Sequence, residues 1–274
     1  FSRPFFAQFA DLLRKTPMLG RFVIEDTMVS SDYTNMANNL KNCYLVFISR
    51  LCEGVEYADN LFEVRDSLDL SHSTKSELCY ECFNVHNSYR LFYSIDAESC
   101  QDSYFLKNCF GCKNCFGCVN LRNKQHCIFN VQYSPEEYRA KMESLIFRPG
   151  ERESVEKFLS ESEKFWQTQP VRSMRGVQNT NVSGDYMRHC KNVQESFFVD
   201  DVEDSKFCAY LTFGRPVKES YDWTQYGDGG ELGYELLQAG NGLYNNRFGW
   251  ALWTGTKNCE YGALNIGSSD CFGC

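Results

Sequence analysis

KNCFGCKNCFGC, residues 107–118, repeats one six-residue phrase and places a cysteine at every third position: Cys109, Cys112, Cys115 and Cys118. Related phrases run through residues 31–133, each with a small polar residue before an aromatic or a cysteine. They are KNCYLVF from Lys41, DSLDL from Asp66, KSELCYEC from Lys75, NSYRLFY from Asn87 and DSYFL from Asp102. Each phrase reads as a short strand with a polar corner. The corners, at Ser67, Ser76, Ser88, Ser103, Asn108 and Asn114, are unevenly spaced and close to hexads at the end.

Helical periodicity interrupts this pattern twice. Near the start, Phe5, Phe6, Phe9, Leu12 and Leu13 recur at helical spacing, with Ser2 as N-cap, Pro4 in the first turn and Pro17 as terminator. At residue 134 the sequence YSPEEY supplies Ser134 as N-cap, Pro135 at the first helical position and Glu137 for a capping box. Tyr138, Met142 and Leu145 follow on one face. After the RPG break at 148–150, a second helix spans 151–167 with Val155, Phe158, Leu159, Phe165 and Trp166 as its apolar stripe. The two are expected to form a helical hairpin.

The strand-like phrases then resume in their first order. Asp32-Tyr33 matches Asp185-Tyr186, Lys41-Asn42 matches Lys191-Asn192, and Glu53 matches Glu203. Asp66-Ser67-Leu68-Asp69 matches Glu219-Ser220-Tyr221-Asp222, ELCYE from Glu77 matches ELGYE from Glu231, and CFGC from Cys109 matches CFGC from Cys271. Collinear matches of this kind indicate an internal duplication.

Phrases 5 to 15 residues apart with no helices between them leave no room for βαβ crossovers. Hairpin dipeptides are scarce, with Asn241-Gly242 as the one that fits. The expectation is a mainly β chain built as an irregular parallel β-solenoid in two duplicated copies. Its parts are an N-terminal capping helix and linker at 1–30, a first copy at 31–133, a helical hairpin and linker at 134–182, and a second copy at 183–274.

Composition narrows the function classes. A net charge of −8 and a pI near 5.2 oppose binding to a nucleic-acid backbone, which needs clustered Lys and Arg. No apolar run approaches the ~18 residues of a membrane helix. The 15 cysteines are odd in number and no secretory leader is visible, which fits reduced thiols in a cytoplasm better than a disulfide framework. The 22 Phe and 16 Tyr must fill a core or line a surface.

FSRPFFAQF, NCFGCVNLRNKQHCIFN and YSPEEY resemble stretches of a group of uncharacterised Cys-rich and aromatic-rich bacterial proteins frequent in small-genome candidate lineages. The resemblance runs over most of the chain. It implies a zinc-ribbon-like segment upstream of Arg3-Pro4 and another LRNK…YSKEEY stretch beyond Cys274, so the chain resembles a fragment. It implies an architecture and attaches no reaction to it.

Cys109, Cys112, Cys115 and Cys118 have the residue types to hold zinc or an iron–sulfur cluster. Against this, a ferredoxin-type run spaces its fourth Cys by three and follows it with Pro, and the duplicate of Cys79 is Gly233. Stacking along a solenoid is expected to separate Cys109 from Cys115, so the favoured reading is sulfur as a small buried hydrophobe with no cofactor. Cys79 and Cys82 have the same ambiguity. The acidic run Asp200, Asp201, Glu203 and Asp204 has the residue types of a glycosidase carboxylate pair, with Asp200, Asp201 and Asp204 as the alternative catalytic set. The Gly-His-Gly and Arg-x-Lys partner phrases of β-helical pectinases are missing, which favours a solvated corner.

Tyr221, Trp223, Tyr226, Trp250 and Trp253 are the candidate binding aromatics, with at least one of Trp250 and Trp253 expected in the core. His72, His86, His126 and His189 read as ordinary polar residues. No P-loop, dinucleotide fingerprint, H-E-x-x-H or Gly-x-Ser-x-Gly is present. The functional expectation is a non-catalytic scaffold or binding module for a protein partner or for self-association, with a carbohydrate ligand or enzyme as the alternative.

Overall fold

The computed structural model describes residues 3–18, 20–211, 216–225, 227, 229–252 and 254–274. It is mainly β, with parallel sheets and three α-helices among the described residues: α1 (Phe5–Lys15), α2 (Pro135–Leu145) and α3 (Arg152–Gln167). The chain divides into two compact units, Pro17–Pro170 and a second made of Val171–Cys274 with the segment before Pro17.

In the unit 17–170, parallel pairing begins with a fourteen-residue step from Val23 to Ala37 and from Met28 onward follows a constant step of twelve residues. Leu40 pairs with Cys52, Val55 with Ser67, Leu70 with Cys82, Leu91 with Ser103, and Cys115 with Cys127. Within each step the pattern repeats every third residue. A residue with positive φ, such as Asn39, Asn42, Asn84, Asn108 or Asn114, precedes a buried one, Leu40, Cys43, Val85, Cys109 or Cys115. Asn and Asp suit this left-handed region because their short polar side chains bond locally, which accounts for the polar corners. The period is therefore finer and more regular than the phrase spacing indicates. It extends to unlikely occupants of that region such as Leu45, Tyr57 and Phe105.

The buried set is drawn almost entirely from Ser, Cys, Ala, Val and Leu, because four inward side chains per twelve residues must share a narrow interior. Serine has a second task. The backbone N–H of a buried residue donates to the hydroxyl of the buried residue twelve earlier: Cys79 to Ser67 at 3.1 Å, Leu106 to Ser94 at 3.1 Å, and Cys115 to Ser103 at 3.0 Å. Buried backbone donors need such partners. Alternating charges, Lys41–Glu53 at 2.6 Å with Arg65 and Glu77 next in register, line the outer surface and disfavour slippage.

The unit ends in one antiparallel pair, Gln125–Ile128 with Val131–Gln132, which leads into the helices. Ser134 and Glu137 form the expected capping box with Pro135 at N1. Val155, Phe158 and Trp166 of α3 are buried against Phe105, Phe116, Val119 and Ile128, so the hairpin covers an aromatic side of the strands.

In the second unit the step varies: eleven for Thr180 with Lys191, twelve for Val193 with Ser205, fifteen for Val202 with Val217, thirteen for Val217 with Gly230 and Gly230 with Leu243, and twelve again for Lys257 with Ser269. The Cys79-to-Gly233 exchange has a steric cause here. A Cβ on Gly233 would lie 2.7 Å from Leu236 and 3.6 Å from the Trp223 ring, so the larger side chains occupy the room that a cysteine takes elsewhere. Helix α1 belongs to this unit: the Phe5 ring lies 5.0 Å from Tyr261 and 4.6 Å from Phe272. Pro4 stands at its N-cap with no side-chain cap, and the expected cap Ser2 lies outside the described residues.

Candidate functional site

Cys109, Cys112, Cys115 and Cys118 are all buried, and they are the four successive inward residues of a single twelve-residue step. The positive φ of Asn108, Gly111, Asn114 and Gly117 turns the chain before each of them. Cys100 lies twelve residues before Cys112, and Cys127 pairs in register with Cys115. The neighbouring Cys112 thiol pushes Cys100, Cys109 and Cys115 up from the ordinary thiol range, and those three neighbours push Cys112 down. Each sulfur also donates to the carbonyl two residues back, at 3.4 Å for Cys112 and 3.3 Å for Cys118.

Elsewhere the thiols behave as buried apolar groups. Burial pushes Cys52 and Cys208 up to about 12, and Cys79 and Cys190 up to about 11. All 15 cysteines are free, and Cys274 alone among them is exposed.

The acidic run forms a corner with an unforeseen member. His189 Nδ1 lies 3.1 Å from Asp200 and 3.6 Å from Asp201. These three are the one group of three potential metal ligands, among the described residues, whose donor atoms all lie within 4.8 Å of one another. His189 sits in the step before the two aspartates, and only the register shows that it faces them. Asp204 is not part of this group. It accepts from Asn192 at 2.8 Å on a separate ladder that continues to Asn181. Partial burial raises the Asp200 carboxyl above the ordinary aspartate range, with the His189 hydrogen bond opposing. Of the other histidines, His86 bonds Thr74 at 2.8 Å and Asn84 at 2.9 Å, and His126 bonds Asn114 at 3.1 Å.

The candidate binding aromatics divide. Trp223 is a correction: it is an inward residue, 0% exposed, and fills the core instead of a surface. Tyr226 and Trp253 lie outside the described residues. Tyr221 and Trp250 are 45% and 41% exposed, so Trp250 is not a core residue. The register adds neighbours that spacing alone did not reveal: Tyr234 beside Tyr221, and Leu237 beside Trp250. Asp222 and Glu235 are exposed between them in sequence, and Glu235 pushes the Tyr234 phenol up.

No protein-family model and no curated protein matches this chain. No helix among the described residues is long and apolar enough to cross a membrane.

Proposed function

We propose that this chain is a parallel β-solenoid in two duplicated copies, serving as a non-catalytic cytoplasmic scaffold that binds a protein partner. The parallel register, twelve residues per step through nearly all of the first unit and eleven to fifteen in the second, supports the solenoid reading. The binding reading rests on one observation: Tyr221 with Tyr234 and Leu237 with Trp250 form adjoining exposed pairs, with the carboxylates of Asp222 and Glu235 set among them. Rigid aromatics lose little conformational freedom on association, and carboxylates beside them select a segment rich in Lys or Arg. The chain's charge of −8 favours the same partner.

The carbohydrate-enzyme alternative is not supported by a converging carboxylate set, since Asp204 stands apart from Asp200 and Asp201. The test purifies a captured partner and measures its affinity for the intact chain and for Tyr234→Ala/Trp250→Ala. A loss of at least about tenfold, ~1.4 kcal/mol, is expected. Equal affinity for both chains overturns the surface assignment. New reducing ends from a polysaccharide panel, abolished by Asp201→Asn, overturn the non-catalytic reading.

A further inference from the structure

We propose that the stacked thiols of Cys100, Cys109, Cys112, Cys115, Cys118 and Cys127 form a buried site for a soft monovalent cation of the Cu(I) class, held between pairs of thiolates with Cys112 as the shared ligand. Three features carry this. First, every inward position of one step is a cysteine, so no other side chain intervenes between the sulfurs in that layer. Second, Cys100 lies one step before Cys112 and Cys127 pairs in register with Cys115, so the thiols continue on either side of that layer, and among the described residues no three of the sulfurs lie within 4.8 Å of one another as the His189 group does. Tetrahedral zinc needs four ligand sulfurs at about 2.3 Å from the metal. Soft thiolates with few neighbours suit Cu(I) instead.

Third, the fold supplies a backbone donor to sulfur. The N–H that elsewhere donates to a serine hydroxyl one step earlier donates here to sulfur, Asn130 to Cys118 at 3.5 Å. Amide donors aimed at a ligand sulfur stabilise the thiolate and orient it, as outer-shell partners do in metal sites generally. Loading balances without electron transfer: two thiols give up their protons, two Cu–S bonds form, and Cu(I) keeps its oxidation state.

The experiment uses the full chain carrying Cys271→Ser and Cys274→Ser, which removes the two least buried thiols. Cu(I) is supplied anaerobically as its bathocuproine disulfonate complex, and its withdrawal is read from the loss of the chelator's colour. At least one Cu(I) per chain is expected, with two protons released per cation. Cys112→Ser keeps a hydroxyl donor and is expected to withdraw at least tenfold less at equal chelator, while Cys208→Ser in the other unit withdraws as much as the parent. Should Cys112→Ser lose the parent's far-ultraviolet spectrum, Cys109→Ser and Cys127→Ser carry the same expectation. The proposal is overturned by a folded parent that withdraws no Cu(I), or by a folded stack variant that withdraws as much as the parent. Retention of Zn(II), one per chain and lost in the stack variants, overturns the two-thiolate geometry.

Discussion

The backbone N–H of Cys100 donates to the Ser88 hydroxyl at 3.1 Å, and Ser88 lies one twelve-residue step earlier. The same hydroxyl donates to the His86 carbonyl at 2.9 Å, so one buried side chain serves two backbone groups. Ser88→Ala strands the Cys100 N–H, while the His86 carbonyl keeps the Ser99 N–H at 2.9 Å, and an unmet buried donor costs about 1–3 kcal/mol. Ser88→Cys keeps a donor and acceptor of similar size and is expected to cost less. Denaturant midpoints of the two variants rank them, and equal destabilisation would count against the hydroxyl's role.

Gly184 sits where the register shifts between Val182 and Gly184, with φ at 138°. A Cβ there would collide with the Ser196 carbonyl of the neighbouring strand. Gly184→Ala combines an unsuitable backbone with a clash against main chain that cannot rotate away, and a loss of at least about 3 kcal/mol is expected. Thermal unfolding measures it. A melting temperature within a degree of the parent's would contradict the close strand approach.

Trp223 and Trp250 are expected to behave oppositely. Trp223→Ala empties a fully buried site and should cost about 3–5 kcal/mol. Trp250→Ala removes a half-exposed ring and should change stability by less than about 0.5 kcal/mol while weakening partner binding. Chemical denaturation of both variants distinguishes the core residue from the surface residue.

Asp200 supplies a pH-dependent prediction with a definite sign. Its folded pKa lies above the unfolded value because burial penalises the charge. The folded state therefore binds this proton more tightly, and ionisation at neutral pH weakens the fold. Asp200→Asn is expected to raise the melting temperature at pH 7 to 8. The advantage should shrink as the pH falls through the raised carboxyl range and vanish below the ordinary aspartate value. A gain that grows on acidification would reverse the assignment.

Local chemistry made much of this molecule readable from its sequence. Ser134, Pro135 and Glu137 announce α2 because a capping box is satisfied within four residues. The stripe Val155, Phe158 and Trp166 announces α3 because one face must be buried. Asn at the corners and the absence of crossover helices point to short parallel strands, since they reflect backbone conformations that each residue adopts by itself. The tertiary structure alone decided which residues meet across a step. The side-chain spacing of Cys109 to Cys118 is the same whether the four thiols spread along an axis or share one cross-section. That choice depends on a closure of twelve residues, which comes from backbone hydrogen bonds between distant segments. His189 faces Asp200 for the same reason, and Trp223 is buried because Gly230 and Gly233, seven and ten residues later in the chain, leave it space. Sequence specifies the turn at each third residue, and the register of one step on the next determines what those turns bring together.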